Sequence, residues 1–254
     1  MSGHSKWAQI KRKKAVTDAK RGAVFSKIAK EIMVASRLGG SDPVNNFRLR
    51  FAIEKAKENL LPQVNIQRAI EKGAGTGDDK SQIEDIIYEG YGPGGTAILI
   101  QCTTDNKNRT VADLRSYFTK YHGKLAESGA VSWMFAKRGE IKISSSSFKS
   151  QDEIYELAIE AGACDIDFSG EDYAIIITKP DELEKIQKNI LGKNIKLSET
   201  QISYSPKEHL EITDPEHAKN ILKLLEAIEE HDDVQNVFSN FDIKEEILKT
   251  MESV

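Results

Sequence analysis

The chain has 254 residues, 39% hydrophobic and 30% charged, with a formal net charge of −4. These values are ordinary for a soluble globular protein of two or three domains. No run of about 18 apolar residues occurs, which excludes a transmembrane helix, and the basic start lacks the apolar core of a secretory signal. The compact Gly3-His4-Ser5-Lys6-Trp7 opening argues against a mitochondrial transit peptide, so the expected location is cytoplasmic, with no membrane partner. Cys102 and Cys164 lack metal-ligand spacing and are expected to be reduced thiols packed as small hydrophobes.

Residues 1 to 14 read as a polar, basic arm with Trp7 and Ile10 as apolar anchors. A helix follows to about Leu38, because Phe25, Ile28, Ala29, Ile32 and Met33 share one stripe, and Gly39-Gly40 ends it. Asp42 as N-cap and Pro43 in the first turn predict a second helix to about Asn59. Pro62 breaks the chain. A third helix carries Ile66, Ala69 and Ile70, with Asn65 as candidate cap and Gly73 as its stop. Gly73 to Gln82 is Gly/Asp-rich and reads as a linker.

Beyond the linker the pattern changes to alternating strands and helices. Ala97 to Cys102 is a buried-strand run, and a helix capped by Asn108 or Thr110 places Val111, Leu114, Phe118 and Tyr121 on one face. Strands are predicted at Val131 to Phe135, Glu140 to Ser144, Tyr173 to Thr178, near Ile202, and at Val234 to Phe241. Between them, Ser150 with Glu153, Asp181 with Glu184, and Asp214-Pro215 with Glu216 open three helices. Ser144 to Ser147 reads as a loop or crossing. The class is α+β, with two sheet-bearing modules after a helical one.

Charge segregates along the chain. Residues 1 to 72 hold 16 Lys+Arg against 6 Asp+Glu, a net of +10, and the remainder holds 20 against 34, a net of −14. The densest part is Lys6, Lys11, Arg12, Lys13, Lys14, Lys20, Arg21, Lys27 and Lys30, opposed over the first 30 residues only by Asp18. At 100° per residue Lys20, Lys27 and Lys30 lie opposite the apolar stripe, so they can face a phosphate backbone while the stripe is buried. The alternative is a merely solvated basic face. Trp7 is either an anchor for the arm or a ring that stacks on an exposed base.

Tyr91-Gly92-Pro93-Gly94-Gly95 lacks the Gly-Lys-Ser/Thr ending of a phosphate-binding loop. It reads as a turn entering the strand at Ala97, or as a loop presenting Tyr88 and Tyr91. Thr104 to Thr110 is polar; Asp105 orders the turn, and Arg109 is either structural or a phosphate contact. Tyr88, Tyr91 and Arg109 are thus a candidate second contact surface. The five histidines, His4, His122, His209, His217 and His231, have no triad-like or metal-ligand context, and no GxSxG, HExxH or CxxC occurs. No catalytic residue, metal or cofactor is expected. If Met1 is removed, Ser2-Gly3-His4 presents an amine, two amides and an imidazole that suit square-planar Cu(II). Cu(II) binding unchanged by His4→Ala would dismiss that site.

Four stretches in register resemble the YebC/PmpR family of bacterial regulatory proteins: Gly3 to Trp7 with the cation run that follows, Tyr88 to Gly95, Thr104 to Thr110, and Glu127 to Phe135. The resemblance implies three domains: a basic helical domain, 1–77; a discontinuous α+β domain, 78–135 with 207–254; and an inserted α+β domain, 136–206. It implies a DNA-binding transcriptional regulator, or a ribosome-associated factor that contacts rRNA and relieves stalled synthesis; the similar mitochondrial relative activates translation of a cytochrome oxidase subunit. A protein-interaction scaffold is the remaining reading. A monomer or weak homodimer is expected. Where the family carries an acidic cap before the third helix, this chain has Val64.

Overall fold

The computed structural model describes residues 19–76, 83–168, 173–193, 195, 197–244 and 246–247. The protein is α+β, with a helical region followed by sheets. Helices α1 (Ala19–Gly39), α2 (Phe47–Glu58) and α3 (Gln63–Ala74) come first. The predicted stripe forms their core. Ile28 and Ile32 are buried, Phe25, Ala29 and Met33 pack beside them, and Leu49, Ala52, Ala56, Ile66, Ala69 and Ile70 close in from the other two helices. Each large aliphatic side chain buried this way contributes about 1.5–3 kcal/mol.

The helix ends differ from the prediction, for local reasons. α2 is capped by Asn46, whose Oδ1 accepts from the Leu49 N–H at 3.0 Å. Asp42 instead orders the preceding turn, accepting from the Val44 N–H and from Asn45 Nδ2. Asn46 wins the cap because it also reaches α1: its Nδ2 donates to the Ala35 and Gly40 carbonyls at 2.7 and 2.6 Å. α3 begins at Gln63 behind Pro62, and Asn65 is not its cap; the Asn65 N–H bonds the Pro62 carbonyl within the first turn. Gly73 is not the stop either. It lies inside α3 where α1 crosses so closely that a Cβ would overlap the Met33 carbonyl. The helix ends one turn position later on Gly75, whose φ of 71° is left-handed.

Next come β1 (Glu84–Tyr91), β2 (Ala97–Thr104), α4 (Lys107–Lys120) and β3 (Lys124–Ala126). The chain continues through β4 (Phe135–Ser144), α5 (Gln151–Ala161), β5 (Asp165–Asp167), β6 (Tyr173–Thr178), α6 (Leu183–Leu191) and β7 (Leu197–Pro206). It ends with β8 (Leu210–Ile212), α7 (Pro215–Glu230), β9 (Val234–Ser239) and β10 (Phe241–Ile243). Met134–His209 forms one compact unit, and the rest of the described chain forms the other.

In the first of these units the strands lie in the order β5-β6-β4-β7, all antiparallel. This is a ferredoxin-like βαββαβ arrangement, with α5 and α6 packed on each other. Ser150 caps α5 as predicted, and Glu153 accepts from the Lys149 N–H, one residue earlier than the reciprocal bond of a capping box. Glu182, not Asp181, precedes α6, without a side-chain cap. Cys164 is exposed rather than packed, at the bend before β5, whereas Cys102 is buried in β2.

In the other unit the order is β3-β1-β2-β9, again antiparallel, and β8 pairs with β10 in parallel. Strand β1 had no predicted counterpart. Residues Ser132 to Met134 form a 3-10 turn rather than a strand, and Phe135 starts β4. α4 starts at Lys107 under an Asn106 cap, so Asn108 and Thr110 lie inside the helix. No helix among the described residues is long and apolar enough to cross a membrane.

Two substitutions probe the helical region. Asn46→Ala strips one cap and two carbonyl contacts and should cost about 2–3 kcal/mol in urea unfolding. Gly73→Ala gains about 1 kcal/mol of helix propensity, but the backbone it meets cannot yield, so a net loss of about 1–2 kcal/mol is expected in the same assay.

Candidate nucleic-acid interface

Of the predicted contact residues, Lys6, Trp7, Lys11, Arg12, Lys13 and Lys14 lie outside the described residues, as does Ser2-Gly3-His4. Lys20 and Arg21 fall in the first turn of α1, and their side chains are outside the described part. Lys27 and Lys30 are placed. Lys27 Nζ donates to the Glu229 carbonyl. Lys30 Nζ donates to the Asp232 carbonyl at 3.0 Å and forms an ion pair with Asp233. Lys27 and Lys30 of the basic face are therefore turned onto the end of α7 and the loop that follows it.

Asp233 is the centre of this junction. Its side chain is 1% exposed. Besides Lys30 it accepts from Thr110 Oγ1 at 2.6 Å, Thr104 Oγ1 at 3.1 Å and Arg109 Nη2 at 3.1 Å. Its backbone carbonyl takes the Thr103 N–H at 2.8 Å, and its N–H donates to His231 Nδ1 at 3.0 Å. That bond leaves the His231 Nε2–H to face Asp113, 3.1 Å away. Burial alone would raise the Asp233 carboxyl, but the donors Lys30, Thr110 and Arg109 outweigh it and hold the group well below the usual carboxylate range. A buried charge is tolerable only with such pairing.

Arg109 is thereby assigned two intramolecular partners, Asp233 and Asp105, while half of its side chain stays exposed. Those partners raise its already high pKa. Tyr88 lies near it, with its hydroxyl 3.5 Å from the Lys107 carbonyl, and burial followed by the charges at Cys102, Asp233 and Glu84 raises its phenol. Tyr91 is elsewhere. Side chains alternate along a strand, and Tyr88 and Tyr91 are three apart, so they occupy opposite faces of the sheet. Tyr88 and Arg109 come together at the start of α4; Tyr91 does not join them.

Tyr91 belongs to a second constellation around Glu89. This carboxylate is 4% exposed and accepts three backbone N–H groups, from Gly129 at 2.7 Å, Val131 at 2.7 Å and Ser132 at 2.8 Å. Burial again pushes its pKa up and the three N–H bonds pull it further down. Gly129, with φ of 90°, allows the chain to turn its amides inward. Tyr91 Oη and Trp133 Nε1 both donate to the Ala130 carbonyl, at 2.9 and 3.0 Å. Sequence reasoning missed Glu89, Asp233 and Trp133. The available signal for Asp233 was a carboxylate between the end of an amphipathic helix and an apolar strand, and for Glu89 its place inside the Tyr-rich motif. Among the described residues no group of three or more His, Cys, Asp or Glu side chains could hold a metal ion.

Residues 5–76 match the family model described as the TACO1/YebC protein N-terminal domain, and residues 83–241 match the TACO1/YebC second and third domain. The chain belongs to the TACO1/YebC family. Its TACO1/YebC relatives include a probable transcriptional regulatory protein of Desulfotalea psychrophila, 50% identical over 99% of both chains. Another, from Aquifex aeolicus with the same description, is 49% identical over 98% of this chain and 99% of the relative. The crystal structure of a conserved hypothetical protein of Aquifex aeolicus superposes with a TM-score of 0.83 at 47% identity, covering 92% of this chain and 96% of the other. The resemblance drawn from the four motifs is thus established, and two of those motifs, Thr104 to Thr110 and Glu127 to Phe135, carry the partners of the buried Asp233 and Glu89.

Because the folded pKa of Asp233 is depressed, its stabilisation is complete above the ordinary Asp value and is lost as pH falls through the folded value. Asp233→Asn should cost about 3 kcal/mol at pH 7. The gap to the parent protein in thermal or urea unfolding should narrow once pH drops below about 4. A gap that is constant from pH 7 to pH 2 would remove the buried charge from the account.

Proposed function

We propose that this protein is a non-enzymatic nucleic-acid-binding regulator of gene expression, acting on DNA as a transcriptional regulator through its basic N-terminal segment. The observation that carries the reading is charge segregation, +10 over residues 1 to 72 against −14 over the remainder. Polyanion contact should then be local, through Lys6, Lys11, Arg12, Lys13, Lys14, Lys20 and Arg21, because the acidic remainder is repelled by phosphate. Lys27 and Lys30 act at the base of this segment, where their bonds to Glu229, Asp232 and Asp233 fix α1 to the body. The names of the relatives, probable transcriptional regulatory proteins, support the transcriptional label.

The same bonds favour a second reading. With Lys27 and Lys30 engaged by the body, the later turns of α1 do not present a free row of cations to a groove, which suits a reader of backbone and shape rather than of base edges. Folded rRNA offers such a surface, so a ribosome-associated translation factor is the alternative.

Both readings share one test. The full-length protein is titrated with a duplex promoter fragment and cosedimented with ribosomes across a salt series. Reversal of Lys11, Arg12, Lys13 and Lys14 to Glu should abolish the binding that exists, with each lost phosphate contact removing roughly 0.9 from the salt slope. Binding that survives the reversal displaces the site, and absence of both kinds of binding at physiological salt leaves the scaffold reading.

A further inference from the structure

The face of the sheet opposite Tyr88 carries an arrangement that the charge argument does not use. Trp133 is 66% exposed and Tyr91 is 37% exposed, large values for residues of this size. Their polar atoms are already satisfied, both by the single carbonyl of Ala130. Ala130 is in turn flanked by Gly129 and Val131, whose amides are gripped by the buried Glu89. A buried carboxylate with three backbone donors is a stiff anchor. It holds a short loop that carries Trp133 and bonds Tyr91, two exposed aromatic side chains tied to one carbonyl. Stabilising the fold does not require this, because burying the rings would contribute more than exposing them.

The surroundings indicate the kind of ligand. In the antiparallel pairing of β1 with β3, Lys124 lies directly opposite Tyr91, so the two side chains share a face. Lys124 is exposed, on the edge strand. Ile87, two residues before Glu89 and four before Tyr91, lies on the same face and is 39% exposed. Exposed aromatic side chains with a cation alongside match a base and its phosphate. They match an unpaired base in particular, since a base inside a duplex offers no open ring face.

We propose that Trp133 and Tyr91, with Lys124, form a stacking platform for an unpaired nucleobase in a single-stranded segment of DNA or RNA. This rests on the nucleic-acid reading above and adds to it a second contact surface, one selective for unpaired bases. Tyr88 and Arg109 are not part of it.

The experiment uses the full chain and three fluorescein-labelled probes: an oligo(U) 12-mer, an oligo(dT) 12-mer and a perfectly paired DNA duplex of equal length. Trp133→Ala should weaken binding of a single-stranded probe about tenfold, a step typical of one lost base stack. It should leave duplex binding within about twofold, because backbone contacts do not involve the ring. Trp133→Phe should retain most of the affinity, and unchanged thermal unfolding checks that the exposed site was not structural. The protein has two tryptophans. In a Trp7→Phe background all tryptophan emission comes from Trp133, and saturation with the preferred single strand should quench it. Comparison of oligo(U) with oligo(dT) tells RNA from DNA. Single-strand binding unchanged in Trp133→Ala, or Trp133 emission that does not respond at saturation, overturns the platform. If Trp133→Ala leaves single-strand binding unchanged while the four-residue charge reversal abolishes binding of all probes, the platform has failed while the basic segment stands. If the parent protein binds no probe even at low salt, the nucleic-acid reading itself fails and takes the platform with it.

Discussion

A carboxylate with 1% of its side chain exposed has to be met by donors, and at Asp233 three parts of the chain come together. Lys30 comes from the helical region, Thr104 from the end of β2, Arg109 and Thr110 from the first turn of α4, and the carboxylate itself from the loop that delivers β9. Thr104 and Thr110 are themselves buried, whereas half of the Arg109 side chain is exposed. Together they make one junction in which a charge is buried without being stranded. Removing a partner leaves more than a missing bond, since the desolvated carboxylate remains. With the Lys27 and Lys30 bonds to the Glu229 and Asp232 carbonyls, this group ties α1 to α7 and the loop before β9.

Glu89 repeats the principle with backbone donors. Three amides from one loop converge on it, so the loop shape is set by a side chain on a neighbouring strand. Both buried carboxylates sit beneath stretches rich in Gly, Asn, Ser and Thr. Those stretches look like variable surface in composition, yet their amides and hydroxyls are occupied inward. Such loops present rings and charges outward from a fixed base.

What could be read in advance follows from the range of the forces involved. The stripe of Phe25, Ile28, Ala29, Ile32 and Met33 is a short-range periodic signal, and it forms the core as expected. The Ser150 cap and the helix opened by Asp214-Pro215 are equally local. Strand β1 was hidden because its alternation is broken: Ile86 and Ile87 are adjacent, and the buried position that should be apolar holds Glu89. Gly73 has the composition of a stop but serves a close helix crossing that only the partner helix reveals. Asp233 gathers residues 30, 104, 109 and 110, and no window of sequence contains them together. The basic segment was visible from charge alone. That two of its lysines face inward was not, because direction depends on what a helix packs against.

The pairing of β4 with β7 has a consequence for how the chain assembles. Phe135 lies opposite Pro206, and the Lys207 N–H donates to the Met134 carbonyl, so the two ends of the inserted unit are clasped together. Strand β9 must pair with β2 across that whole insertion, a closure whose entropy rises with the length of free chain between them. Once the inserted unit has folded, its clasped ends take residues 135–206 out of that length. Synthesis from the N-terminus releases β4 through β7 before α7 and β9. Translation order therefore favours the productive sequence, with the long-range strand docking last onto a framework already closed.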